Sequence, residues 1–211
     1  MQIPSYSIES IILIVVAYLI GAVPVGLIVA KLMGKADPRE SGSGNIGATN
    51  VNRTLGKGAG IATLIGDVLK GAGPTYYVIY FAAGSADLIS LVALSAIVGH
   101  LFPIYLGFKG GKGVATTLGV LVVVSPLAAL ICVTFFAVIV LVTRYVSLGS
   151  MYAAVTMPLA LAFIPGKLYF APVSVFIAML IVFKHKENMK RLKDRTENRF
   201  GASKIEDNPD K

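Results

Sequence analysis

The chain has 211 residues, of which 55% are hydrophobic and only 14% are charged, and its mean hydropathy is +0.77. This composition excludes an ordinary soluble domain of the same size and is typical of a helical protein with several membrane spans. A net charge of +8 often accompanies nucleic-acid binding, but the positive-inside rule explains most of it, so nucleic acid is not an expected partner. The lone Cys132 excludes a disulfide framework and a cysteine metal cluster.

Apolar stretches of about 20 residues predict helices that cross a bilayer. The first stretch has neither a basic start nor a following cleavage motif, so we expect a retained helix rather than a signal peptide. In chain order, the apolar stretches cover residues 8–33, 59–83, 88–108, 114–142, 146–164 and 169–183.

The long stretch 114–142 decides the topology. A single helix would place its two basic flanks on opposite sides of the membrane, whereas a break at Ser125-Pro126 returns the chain to the side it came from. Proline after serine favours the break, because the residue before proline is pushed out of helical geometry. The alternative for the short piece 114–124 is a shallow or re-entrant insertion.

The break predicts an all-α polytopic membrane protein with seven transmembrane helices. Only Lys167 is then left on the far side, and Lys70 lies within a span. The positive-inside rule therefore predicts an N-terminus outside, a cytoplasmic C-terminus and glycine-rich loops on the cytoplasmic side. The basic groups on that side are Lys31, Lys35, Arg39, Arg53, Lys57, Lys109, Lys112, Arg144 and the tail from Lys184 onward.

We expect one transmembrane domain over residues 1–200 and a charged cytoplasmic tail over residues 201–211. The segment 184–193 contains neither glycine nor proline and is expected to continue the last helix. The final residues 205–211 are expected to fray.

Two glycine-rich polar runs, residues 41–50 and 107–113, interrupt the apolar chain. Serial glycines let backbone N–H groups converge on an anion, and nearby Lys109, Lys112 and Arg53 add positive charge. A phosphate-type site at the membrane rim is therefore expected. The second run is not an ATP-binding Walker A loop, since Leu106 and Gly113 depart from that pattern.

Further polar groups have structural as well as functional interpretations. Asp67 and Lys70, three residues apart inside a span, predict a mutually neutralising pair, and His100 is expected to be a structural hydrogen-bonding residue. The 41–50 loop could be only a capped turn, and Lys109 and Lys112 could be only topology anchors. Ser147 and Ser150 could simply let helices pack closely, and His185 and Asn188 could form a solvated helix end.

The motifs together closely resemble the bacterial acyl-phosphate:glycerol-3-phosphate acyltransferase family. The resemblance covers residues 8–200 and rests on the segments 42–56, 99–115, 144–147 and 185–188. It implies a bacterial inner-membrane enzyme with seven spans that transfers a fatty acyl group from acyl phosphate to the 1-hydroxyl of sn-glycerol 3-phosphate. The implied products are lysophosphatidic acid and inorganic phosphate, in the first step of phospholipid synthesis. Gly149 and Asp194-Arg195 depart from the family pattern without changing the polar site residues.

The resemblance also implies roles for individual residues. The phosphate of glycerol 3-phosphate would be held by Arg53, Lys112, Ser43 and Ser150, and the glycerol hydroxyls would be oriented by His185 and Asn188. The acyl phosphate would be cradled by Gly110, Gly111, Gly113, Thr49 and Asn50. The implied catalytic set is Ser43, Arg53, Lys112, His185 and Asn188, whereas Glu197 matches a family glutamate with a structural role.

The proton acceptor has two candidates, His185 and the leaving phosphate, and the resemblance favours the phosphate. Neither a cofactor nor a metal is implied, and the expected partners are glycerol 3-phosphate, a long-chain acyl phosphate and membrane lipid. The oligomeric state is left open, and a monomer is compatible with the sequence.

Two other classes of protein compete with the enzyme. A phosphate or organophosphate transporter would also use basic glycine loops, but such proteins usually have repeated halves and polar groups near the midplane. A non-catalytic lipid-binding scaffold would not need Ser43, Thr49, Asn50, Arg53 and Lys112 together.

Overall fold

The computed structural model describes residues 7–201, and this part of the chain forms helices and connecting turns without a strand. Short 3-10 turns occupy Pro38–Glu40, Ile104–Leu106 and Leu168–Phe170. The α-helices are α1 (Ile8–Ala22), α2 (Val25–Leu32), α3 (Ala48–Leu55), α4 (Lys57–Tyr80), α5 (Ala86–Leu101), α6 (Val114–Val124), α7 (Pro126–Thr143), α8 (Val146–Phe163), α9 (Ala171–Lys184) and α10 (Lys186–Lys193).

The outer surface of the bundle is apolar, as expected where lipid replaces water. Leu141 and Val142 on α7 are 77% and 78% exposed, and Phe163 on α8 is 85% exposed. Three segments are long and apolar enough to cross a membrane alone, and five are if each bent pair of helices counts as one span. The chain is therefore a multi-pass membrane protein, and the count of seven spans stays a prediction.

Glycines allow the helices to approach each other closely. A methyl group at Gly21 on α1 would collide with the backbone of Ala96 on α5, and one at Gly99 would collide with the backbone carbonyl of Tyr18. Gly119 on α6 packs in the same way against the backbone of Val68 on α4. Small residues at such contacts allow the close van der Waals packing that holds helices together in lipid, where the hydrophobic effect does not drive helices to associate.

The predicted break in the long apolar stretch is confirmed. α6 ends at Val124 and α7 begins at Pro126, and the Ser125 hydroxyl accepts a hydrogen bond from the Ala128 amide at 3.3 Å. Proline is well tolerated at the first helical position, because an N–H group there would have no partner within the helix. The 11 residues of α6 are fewer than a full crossing requires, so its depth in the membrane stays a prediction.

The third apolar stretch, predicted over residues 88–108, matches the candidate span Ala86–Leu106, within which the α-helix ends at Leu101 and a 3-10 turn follows Pro103. Two helices predicted to be continuous are bent. The first span is not continuous, because the chain bends by 45° between α1 and α2 at Val23-Pro24. The last helix does not continue through Lys193, because the chain bends by 53° at His185. The tail predicted to fray, 205–211, lies outside the described residues.

The predicted Asp67–Lys70 pair is confirmed and is buried in the bundle. Lys70 Nζ lies 2.9 Å from Asp67 Oδ1 and also donates to the Val23 carbonyl at 3.0 Å. Val23 is at the bend between α1 and α2, where Pro24 provides no N–H group. The pair therefore joins α4 to that bend while neutralising its own charge, as buried charges in lipid require.

Candidate active site

Both glycine-rich loops, the bend at His185 and the tail that follows α10 meet at one end of the bundle, which we call the loop end. Lys112 Nζ donates to Asn188 Oδ1 at 2.6 Å, which joins the second loop to α10. The Phe200 amide donates to the Arg144 carbonyl at 2.6 Å, which joins the tail to the corner between α7 and α8. Segments far apart in the sequence thus form one polar region.

Asn50 organises the first glycine-rich loop. Its side chain is 2% exposed, and its Oδ1 accepts a hydrogen bond from the Ser43 amide at 2.8 Å. Its Nδ2 donates to the carbonyls of Pro38, Asn45 and Ser41 at 2.7, 2.9 and 3.3 Å. Because the amide is engaged at both ends, Asn50 holds Ser43 in place from inside the loop, and its predicted contact with the acyl phosphate stays a prediction.

The second loop is packed tightly against the end of α5. The Gly111 amide donates to the His100 carbonyl at 3.1 Å, and a methyl group at Gly111 would collide with the His100 ring. Gly113 has φ +82°, a conformation that favours glycine, and α6 starts immediately after it. The positive end of the α6 dipole therefore lies at this loop, which favours an anion there.

Glu197 is the centre of a hydrogen-bond network at the loop end. Its Oε1 accepts from Ser147 Oγ at 2.7 Å and from Asn188 Nδ2 at 2.6 Å, and its Oε2 accepts from Arg191 Nε at 2.7 Å. The carboxylate thereby orients Asn188 so that its oxygen faces Lys112. Burial opposes ionisation of Glu197, but these three hydrogen bonds outweigh it and lower its pKa.

The cations of the site lie within electrostatic range of one another. Burial lowers the pKa of Lys112 to about 8, opposed by the charge of Glu197 and assisted by those of Arg191 and Arg53. Burial likewise lowers the pKa of the half-buried Arg53 guanidinium, which has no side-chain hydrogen bond within residues 7–201. These neighbouring cations, with the N–H donors of Arg53 available, are suited to binding a phosphate group.

His185 is neutral at physiological pH. Burial lowers its pKa to about 4, and its Nδ1 donates to the Ile181 carbonyl at 2.8 Å. Since a carbonyl only accepts, the proton is on Nδ1 and the lone pair is on Nε2. The ring can therefore accept a hydrogen bond from a hydroxyl without carrying charge.

A cavity of about 280 Å³ opens at the loop end. Three predicted residues, Ser43, Gly110 and Lys112, line it, and Asn188 lies directly behind Lys112. Thr49 is exposed outside it, and the Ser150 hydroxyl donates within its own helix to the Val146 carbonyl. Other lining residues, to which the sequence assigned no role in the site, are Asn45, Phe102, Phe183, Lys184, Lys186, Glu187 and Arg191.

The fold and the cavity define a class of protein: a helical membrane protein that gathers cations and glycine backbone around an anion-sized cavity at one end of its bundle. The family model described as glycerol-3-phosphate acyltransferase matches residues 11–195. The chain is 49% identical over 196 residues to the glycerol-3-phosphate acyltransferase of Geobacter sulfurreducens, covering 92% of this chain and 100% of that protein. The chain belongs to the glycerol-3-phosphate acyltransferase family.

Other relatives agree with this assignment. The glycerol-3-phosphate acyltransferase of Geobacter metallireducens is 52% identical over 193 residues, which are 91% of this chain and 98% of that protein. The crystal structure of PlsY, an integral membrane glycerol 3-phosphate acyltransferase, in its glycerol 3-phosphate form has a TM-score of 0.84 and 41% identity, covering 92% of this chain and 96% of that chain. Its lysophosphatidic acid form has a TM-score of 0.82 and 40% identity, with the same coverage.

Proposed function

We propose that this protein transfers a fatty acyl group from acyl phosphate to the 1-hydroxyl of sn-glycerol 3-phosphate. Lys112 carries the proposal: it is a half-buried cation that joins a glycine-rich loop to α10, and it lines an anion-sized cavity. The solved relative was crystallised in glycerol 3-phosphate and lysophosphatidic acid forms. These are the acceptor and the product of the proposed reaction.

The chemistry needs no covalent intermediate, because acyl phosphate is already activated. The glycerol hydroxyl oxygen attacks the acyl carbonyl carbon, the bond from that carbon to the phosphate oxygen breaks, and the hydroxyl proton passes to the departing phosphate. The demanding step is to bring two anions together. Correct placement alone can account for about 7–11 kcal/mol of the barrier at best.

We assign the phosphate of glycerol 3-phosphate to Arg53 and Lys112, with Ser43 and Ser150 as supporting hydroxyls. Arginine can donate a forked pair of charge-assisted hydrogen bonds, and lysine supplies a compact charge. His185 Nε2 and Asn188 would orient the glycerol hydroxyls. The backbone of Gly110, Gly111 and Gly113, with Thr49 and the Asn50-organised loop, would cradle the acyl phosphate.

The membrane arrangement is part of the proposal. We place seven spans in the bacterial inner membrane, with α6 and α7 as two short crossings and the loop end on the cytoplasmic side. The excess of lysine and arginine at that end supports this orientation. Residues 1–200 would form one acyltransferase domain that works without a metal or cofactor.

The donor is tested with purified protein in detergent, sn-glycerol 3-phosphate, and palmitoyl phosphate or palmitoyl-CoA. We expect lysophosphatidic acid from palmitoyl phosphate only. Product from the CoA ester alone would keep the acyltransferase class and overturn the donor. If folded protein forms no product but takes up phosphate esters into sealed proteoliposomes, the transporter replaces the enzyme.

The His185→Ala variant should lose activity through acceptor placement rather than through loss of a base. We expect kcat/KM for glycerol 3-phosphate to fall by about 10- to 100-fold, which corresponds to about 1.4–2.8 kcal/mol for leaving one hydrogen bond unmade. The shape of the pH–rate profile between pH 5 and 8 should not change, because wild-type His185 does not titrate there. His185→Gln, which restores an acceptor, should recover part of the loss. Disappearance of one wild-type ionisation in His185→Ala would instead make the histidine the base.

Acceptor binding should weaken above pH 8. Lysine is charged below its pKa, and the pKa of Lys112 is about 8, so the site loses this cation as the pH rises through 8. We expect KM for glycerol 3-phosphate to increase about tenfold for each pH unit above this value, as loss of a single required proton dictates. Lys112→Arg, whose guanidinium stays charged, should move this limb to higher pH. An unchanged alkaline limb in Lys112→Arg would assign the ionisation to another group.

A further inference from the structure

Two phenylalanines and two lysines stand together at the cavity, and the proposed catalytic set uses none of them. Phe102 follows the end of α5 and Phe183 lies in the last turn of α9. The ammonium group of Lys184 is 4.8 Å from the centre of the Phe102 ring, and that of Lys186 is 5.5 Å from the centre of the Phe183 ring. All four residues line the cavity.

Lys184 is held in place more firmly than a surface lysine. Its Nζ donates to the Leu101 carbonyl at 3.0 Å, so it joins the end of α9 to the end of α5. An ammonium group has three donors, and this is the one hydrogen bond that it makes within residues 7–201. Two N–H bonds and a positive charge are therefore available to a ligand in the cavity.

The lining selects a ligand that is both anionic and apolar. Four cations, Lys112, Lys184, Lys186 and Arg191, surround the cavity with the single carboxylate Glu187. The two aromatic rings provide an apolar wall next to these charges. Glycerol 3-phosphate has nothing to place against that wall, whereas an acyl phosphate presents a phosphate and then methylene groups.

The size and exposure of the cavity indicate where the rest of such a ligand lies. About 280 Å³ is at the lower limit for pockets that hold whole ligands, roughly 300–1,000 Å³. It therefore suits a head group and the first methylenes rather than a complete long chain. Phe183 is 57% exposed on the outside of the bundle, so the chain can leave along its ring towards lipid.

We infer that the pocket formed by Phe102, Phe183, Lys184 and Lys186 binds the acyl phosphate donor, with Lys184 on its phosphate and the rings against its first methylenes. This inference rests on the proposed function and deepens it. It places the donor on one side of Lys112 and the acceptor, bound near Asn188, on the other. The acyl carbonyl and the glycerol hydroxyl would then meet at Lys112, and the acyl chain would enter and leave between the ends of α5 and α9.

The test compares Lys184→Ala and Phe183→Ala with the matched controls Lys190→Ala and Phe163→Ala, which alter an exposed lysine of α10 and a lipid-facing phenylalanine away from the cavity. KM for palmitoyl phosphate and for glycerol 3-phosphate is measured for each purified variant, together with inhibition by hexadecyl phosphate, a donor mimic that cannot transfer an acyl group. We expect both cavity variants to raise the donor KM and the inhibition constant about tenfold, as loss of one charge-assisted or aromatic contact would. KM for glycerol 3-phosphate should stay within about twofold, and both controls should match the wild type.

The outcomes separate this inference from the proposed function. If wild-type protein forms no lysophosphatidic acid from palmitoyl phosphate, the proposed donor is wrong. If it does, but Lys184→Ala and Phe183→Ala leave the donor KM unchanged or raise the glycerol 3-phosphate KM equally, the pocket assignment is overturned. Phe183 is exposed, so its replacement is not expected to prevent folding, and Phe183→Leu provides a second variant that keeps an apolar side chain.

Discussion

Lys112→Ala should reduce kcat/KM for glycerol 3-phosphate by about 10³-fold, the upper range for loss of one preorganised donor in an active site. The mutation removes the cation that lies between the two proposed substrate positions and leaves Asn188 without its 2.6 Å partner. Because the two substrates are both anionic, their mutual repulsion is then less compensated. The rate of lysophosphatidic acid formation by purified protein, at fixed palmitoyl phosphate and varied glycerol 3-phosphate, measures the loss.

Lys109→Ala is the matched control for this experiment. Lys109 is in the same loop, three residues away, but is exposed and has no side-chain hydrogen bond within residues 7–201. Its removal should change kcat/KM by less than about twofold, since exposed charges interact weakly. A Lys112→Ala protein that folds and stays within fivefold of the wild type would remove Lys112 from the catalytic set.

Glu197→Ala should cause the second-largest loss, about 10²- to 10³-fold in kcat/KM, although Glu197 does not line the cavity. Three donors, on Ser147, Asn188 and Arg191, lose their acceptor at once. The donors on Ser147 and Asn188 are buried, and each buried donor left without a partner costs about 1–3 kcal/mol. The cations around Lys112 also lose the carboxylate that partly neutralises them, so Asn188 is free to turn away and the tail is free to detach.

Activity is measured together with trypsin cleavage after Arg191, because loss of Glu197 should free this half-buried side chain from its ion pair and make the chain there more accessible. We expect faster cleavage there in Glu197→Ala and an intermediate result in Glu197→Gln, which keeps an acceptor but loses the charge. Asp194→Ala, at an exposed carboxylate in the same tail, should behave as the wild type. If Glu197→Ala keeps both wild-type activity and wild-type cleavage, the network does not position Asn188.

Local sequence rules predicted those parts of the fold that depend on neighbouring residues. The break at Ser125-Pro126 follows from the geometry before proline, and the Asp67–Lys70 pair follows from helical spacing and the cost of a lone charge in lipid. Pro24 carried the same kind of signal for the bend between α1 and α2. Because Pro24 lies inside a long apolar run, hydropathy alone assigned the whole run to one continuous helix.

The bend at His185 could not be predicted from its neighbours. Residues 184–193 contain no glycine or proline, and the contacts that accompany the bend are made to distant segments. Lys184 is tied to Leu101 and Asn188 to Lys112, across 83 and 76 residues of sequence. Glu197 likewise reaches Ser147 across 50 residues. Such contacts exist only after the bundle has formed.

The candidate site was predictable to a similar extent. Glycine, lysine and arginine in two loops indicated an anion site, and the structure brings Ser43, Gly110 and Lys112 to one cavity. Its aromatic wall was not predictable, since Phe102 and Phe183 are two apolar residues among many in an apolar chain. Only their positions at the ends of α5 and α9 distinguish them.

Direct acyl transfer is tested by a time course with purified protein, palmitoyl phosphate and sn-glycerol 3-phosphate, in which released phosphate and lysophosphatidic acid are measured in the same samples. Direct attack predicts equal amounts of the two products at every time, and no burst of phosphate when glycerol 3-phosphate is omitted. A stoichiometric phosphate burst without acceptor would contradict direct attack, because it would indicate an acyl-enzyme intermediate. Folded protein that forms neither product would contradict the proposed reaction itself.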